Sequence, residues 1–224
     1  MKTMQFENVH FEDIVLEKGD SEYYGKAKHV RISVPPALCD RALFDKNGLI
    51  MIDRSVMAQI PLVNPVKFQM WNELEIRRTN EYNLQLEQMA FDNFCDDSRF
   101  SLPADKEQKL YGAILQEYLT KLDQPFVCVY KDCPVGFIQT IIENNNPYIY
   151  LGVADYKYRL MGCGPSLYQY VVNYFQKENY RFVGGRISAK NVAVMNIYAS
   201  LGAVFSAPLD VYAKKCEEAE YGEN

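Results

Sequence analysis

The chain has 224 residues, 48% hydrophobic and 24% charged, enough apolar material for one compact α/β domain with an elaboration or for two small ones. A net charge of −5 argues against nucleic acid as the main partner, because sequence-independent phosphate binding needs a concentrated basic surface. Six scattered cysteines without a C-x-x-C pair, and only His10 and His29, argue against a zinc site and fit a reducing, cytoplasmic setting.

The first eight residues carry no apolar leader, and no run nears the roughly 18 apolar residues of a membrane span, so a soluble protein is expected. Residues 5–17 alternate weakly and residues 27–34 more clearly, and both read as strands. Pro35-Pro36 stops the second and opens a short helix through Phe44. Asn47-Gly48 is a turn before the apolar run 49–52. Pro61 and Pro65 bracket a joint, dividing the chain into a small N-terminal domain, 1–63, and a larger one, 64–224. Beyond it the patterns predict a strand at 66–77, helices at 83–94 and 106–122, and strands at 125–130, 135–143 and 148–153. The turns between those strands fall at 132–134 and 144–147. A helix at 165–178, a strand at 182–187, a helix at 193–201 ended by Gly202, and a strand at 203–212 complete the order. The acidic residues 217–224 read as a frayed tail. Hairpins followed by a strand–helix–strand crossover predict an α/β (α+β) fold with a mixed sheet.

The segment from Arg159 to Gly164 carries the chemistry. A strand ends, a glycine-bearing turn follows and a helix begins, which directs unsatisfied N–H groups and a positive dipole end at one point. A phosphate or pyrophosphate is the natural occupant. Gly162 and Gly164 permit close backbone approach, and Arg159 adds a permanent charge. An ordinary strand-to-helix turn is the competing reading. No Gly-Lys-Ser/Thr follows, so this is not a Walker A loop, and a dinucleotide fingerprint needs three glycines earlier in the fold.

Arg159, Gly162 and Gly164 resemble, in register, the Gln/Arg-x-x-Gly-x-Gly/Ala cofactor motif of the GNAT acetyltransferase superfamily. Asn191, Val194, Tyr198 and Gly202 are similar to that superfamily's second signature, with Ala203 where phenylalanine is usual. A shorter resemblance joins Ser98-Arg99-Phe100, and the segment 20–25, to the TDP-fucosamine acetyltransferases of bacterial glycan synthesis. These resemblances imply a GNAT fold, its sheet mixed and centrally splayed, flanked by helices and preceded by a small αβ domain. They imply acyl transfer from acetyl-CoA, or another short acyl-CoA, to the amine of a dTDP-linked amino-dideoxy sugar, without a metal. A peptide, polyamine or other small amine is the alternative acceptor, and a non-catalytic acyl-CoA-binding module is the alternative function. A homodimer is among the assemblies left open.

In such a site the backbone of Leu151, Gly152 and Val153 would hold pantetheine like an added strand and supply an oxyanion donor. The N–H groups of Leu160, Met161, Gly162, Cys163 and Gly164 would take the pyrophosphate. Asn191 would reach the pantetheine arm, cap the following helix, or do both. Tyr198 would be the general acid, because a phenol of pKa about 10 is well matched to a thiol of about 8.5. Asp53 is the candidate base, against the reading of a solvated surface aspartate, with Glu73 and Glu75 as weaker alternatives. Arg99 and Phe100 would bind a nucleotide phosphate and stack a base, or Arg99 would pair with Asp96 or Asp97.

Overall fold

The computed structural model describes residues 2–6, 9–16, 29–63, 73–103 and 109–214. Its strands are β1 (Lys2–Phe6), β2 (Val9–Val15), β3 (His29–Val34), β4 (Leu49–Pro61), β5 (Leu74–Arg78), β6 (Phe126–Tyr130), β7 (Cys133–Glu143), β8 (Asn146–Ala154), β9 (Phe182–Ser188) and β10 (Val204–Lys214). Its α-helices are α1 (Arg41–Lys46), α2 (Asn83–Asn93), α3 (Lys109–Leu119), α4 (Cys163–Lys177) and α5 (Val192–Ser200). The 20–25 segment and the acidic tail lie outside the described residues, as does Pro65. No helix among the described residues is long and apolar enough to cross a membrane.

Two compact units form, and neither is contiguous in sequence, unlike the expected split after residue 63. One takes the described residues of 1–55, 95–116 and 208–214; the other takes those of 56–94 and 117–207. The physical reason is pairing: the end of β10 lies antiparallel to β3, with Asp210 opposite Val34 and Ala213 opposite Arg31. Arg31 also donates to the carbonyls of Ser98 and Arg99, tying that loop to the same unit.

In the first unit the weakly alternating region is two antiparallel strands rather than one, with Phe6 opposite Val9. β2 then runs parallel to β3. Ile14, Val30, Ile32, Val34, Phe44, Leu49 and Tyr212 form its core, Tyr212 meeting the Phe44 ring edge-on at 4.6 Å. The Pro36 helix is a single 3-10 turn, and α1 starts afresh because Asp40 Oδ1 accepts from the Leu43 N–H.

The second unit is ordered β4-β9-β8-β7-β6-β5. Lys131 and Asp132, then Asn144 and Asn145, all take positive φ, so both hairpins close through two-residue turns that match strand twist. α4 covers one face of this sheet. Leu167, Val171, Val172 and Phe175 project from it onto Phe126, Cys128, Ile138 and Val183. α2 packs against β7 and β8.

Candidate active site

β8 follows β7 along its whole length, from Asn146 opposite Glu143 to Ala154 opposite Gly136. With β9 it shares only two parallel positions, Tyr148 opposite Gly184 and Ile149 opposite Gly185. Beyond them the strands part, and the backbone edge of Leu151, Gly152 and Val153 has no β9 partner. Unpaired strand edges demand an occupant, and an extended amide-bearing chain is one that fits. A register shift in the same stretch pairs Gln139 with Leu151 but Thr140 with Ile149, leaving Tyr150 as an extra, bulged residue. Its ring stacks on Tyr118 at 4.6 Å, and Lys121 Nζ donates to its hydroxyl at 3.0 Å.

The polypeptide leaves β8 into a 3-10 helix, Tyr156–Met161, capped by Asp155 accepting from the Lys157 N–H. Gly162 then takes φ +73°, which a residue with a Cβ adopts only under strain, and α4 begins at once. The glycine freedom expected of Gly162 is used; Gly164 keeps an ordinary φ. A methyl on Gly164 would meet only Ile197 Cδ1, at an unremarkable 3.6 Å. Internal packing therefore does not require glycine there, whereas a ligand approaching the helix end would. No side chain caps α4, and Pro165 brings no N–H, so the N–H groups of Cys163 and Gly164 are the donors of its first turn. Together with the open edge of β8, this fits a molecule carrying phosphate at one end and an extended amide arm.

Cys163 contributes more than backbone. Its thiol is buried over Gly136, where a methyl would lie 2.6 Å from Sγ and 2.8 Å from the Val153 carbonyl. Contact with Cys128, together with burial, pushes the Cys163 thiol far above its usual range, so it is no nucleophile.

Tyr198, on α5, is fully enclosed. Its hydroxyl occupies the place where a side chain on Gly185 would stand, at the last paired position of β9. Its ring meets that of Tyr168 edge-on at 5.3 Å. Asn191 caps α5, Oδ1 accepting from the Val194 N–H at 3.1 Å, so the capping reading of that residue holds.

Asp53, Arg99 and Phe100 belong to the first unit. Asp53 is 3% exposed, which rules out a solvated surface aspartate. It accepts from Ser98 Oγ at 2.6 Å and from the Arg54 N–H at 2.7 Å. Arg99 is bound by Asp97 through Nε at 3.0 Å and Nη2 at 2.8 Å, the pairing expected if it serves its loop. The Phe100 ring is fully buried, with the Arg99 guanidinium 5.0 Å from its centroid. Glu75 lies on β5, the outer strand of the second unit, three strands from β8.

Although burial opposes ionisation of Asp97, the Arg99 guanidinium holds its carboxyl below the usual range. A depressed folded-state pKa contributes stability that is present above the unfolded value and lost as pH falls through the folded one. Arg99→Ala is therefore expected to move the acid-unfolding midpoint, followed by circular dichroism, to higher pH. An unmoved midpoint would refute the pairing.

Sequence reasoning missed Gly185, Tyr168 and Gln139. Gln139 is buried, its Nε2 donating to the Thr140 carbonyl at 2.9 Å while Oε1 has no partner among the described residues. The glycine pair Gly184-Gly185 inside a strand was the one signal available, since such glycines mark close approach by something else. Among the described residues, no three His, Cys, Asp or Glu side chains gather into a metal-sized group.

No family model and no curated protein matches this sequence. Solved structures do. A GCN5-related N-acetyltransferase from Sphaerobacter thermophilus superposes at a TM-score of 0.59 with 14% identity, over 83% of this chain and 59% of its own. One from Kribbella flavida gives 0.58 with 12% identity, over 85% and 70%. A functionally unknown conserved protein from Staphylococcus epidermidis gives 0.62 with 17% identity, over 84% and 73%. The chain thus spans about three fifths of the length of the first of these. The chain has the fold of the GCN5-related N-acetyltransferases.

Proposed function

We propose that this protein is an acyl-CoA-dependent N-acyltransferase working by direct attack of an amine on the thioester. The observation that carries the reading is the parting of β8 from β9 after two paired positions, beside the uncapped start of α4. The N–H groups of Cys163 and Gly164, with those of Leu160, Met161 and Gly162 and the charge of Arg159, receive the pyrophosphate. Backbone groups of Leu151, Gly152 and Val153 hold the arm and polarise the thioester carbonyl. Acetyl-CoA supplies an activated acyl group and a thiolate leaving group. Tyr198, its hydroxyl standing at Gly185 where β8 and β9 part, protonates that thiolate, and the proton shed by the attacking amine restores the phenol.

The acceptor is an amine. A dTDP-linked amino sugar is the acceptor implied by the resemblance at Ser98, Arg99 and Phe100. The alternative acceptor is a peptide, polyamine or other small amine. Arg99, already bound by Asp97, is poorly placed to take phosphate.

Thiol release from acetyl-CoA with dTDP-amino sugars in one panel and polyamines in another separates these readings. Turnover with one panel selects its acceptor. Binding of acetyl-CoA without turnover on any amine would favour a non-catalytic acyl-CoA-binding module, and absence of binding would end the proposal.

A further inference from the structure

Tyr168 is the sixth residue after Gly162 and comes one helical turn, about 6 Å, after Gly164 on α4. At this point in the helix an aliphatic side chain would satisfy the core formed by Leu167, Val171 and Val172. The tyrosine, itself part of that core, instead brings a hydroxyl down onto the sheet. Tyr168 is 6% exposed, and its Oη lies 3.1 Å from where a Cβ on Gly152 would stand. Gly152 lies in the middle of the stretch of β8 that β9 has left. The same arrangement recurs across the gap, where the Tyr198 hydroxyl takes the side-chain space of Gly185. Two tyrosines in edge-on contact thus place their hydroxyls against the two glycines that flank the opening.

The order along the gap assigns different tasks to the two. A chain anchored at Gly162 and Gly164 runs back along β8 past Gly152 before it reaches the level of Ile149 and Gly185, where Tyr198 stands. Tyr168 therefore meets the arm between phosphate and thioester, a region built of amides, and not the reacting bond. Resting on the acyl-CoA reading above, we propose that Tyr168 is a cofactor-positioning residue, its hydroxyl hydrogen-bonding an amide of the pantetheine arm at Gly152. The hydroxyl fixes how far the arm slides along β8, and so sets the thioester opposite Tyr198.

Tyr168→Phe keeps the ring and its contact with Tyr198, so folding should persist; a melting temperature close to wild type checks this. Calorimetric titration with acetyl-CoA should give about fivefold weaker binding, one neutral hydrogen bond, while adenosine 3′,5′-bisphosphate, which lacks the arm, binds as before. Unchanged acetyl-CoA affinity, or equal weakening of both probes, overturns the assignment while leaving the acyl-CoA reading standing. Wild-type protein that binds neither probe overturns both.

Discussion

Replacing Tyr198 by phenylalanine is expected to lower kcat for thiol release about 100-fold, with acetyl-CoA affinity changed less than twofold. General acid catalysis contributes roughly 10²–10⁴-fold, and the lower end applies because a thiolate of pKa about 8.5 leaves readily without full proton transfer. The ring stays in place in this variant, still edge-on to Tyr168, so the loss isolates the hydroxyl. A pH–rate profile adds a sharper readout. If Tyr198 is the acid, the basic limb of kcat/KM should flatten in the variant. A variant retaining more than half of wild-type kcat would return Tyr198 to a packing role.

Gly185→Ala should be the most damaging small substitution near the opening. Its methyl would overlap Tyr198 Oη and stand 3.2 Å from Cζ, and the tyrosine is enclosed on all sides. Overpacking of this kind costs about 1–3 kcal/mol, and the displaced phenol should also cost about 50-fold in turnover. The double variant Gly185→Ala/Tyr198→Phe removes the overlapping oxygen, so urea unfolding should recover part of the lost stability while activity stays low. Additive stability losses in the double variant would disprove the proposed contact. Gly152→Ala meets Tyr168 Oη at 3.1 Å and should be milder.

How legible each feature was depended on how local its cause is. The two-residue turns at Lys131-Asp132 and Asn144-Asn145 were visible, nearly in place, because a short polar pair between β-rich runs closes a hairpin by itself. The Asn191 cap was visible for the same reason, a side chain acting within four residues, whereas α4 starts at Cys163, two residues before the expected Pro165. Burial was not legible from locality at Asp53 and Phe100. Both lie in polar surroundings by sequence, yet β4 runs to Pro61 rather than stopping at Ile52, and the loop at Ser98 folds onto the first unit.

By itself the sequence determined most of the order of strands and helices, the glycine-bearing loop before α4 and the tyrosine seven residues after Asn191, because each is written in spacing along one segment. Only the tertiary structure decided where β8 and β9 part, which glycines lie under Tyr168 and Tyr198, and that Arg99 answers to Asp97. Those outcomes depend on which distant segments are pressed together, and packing between such segments leaves no period in the chain.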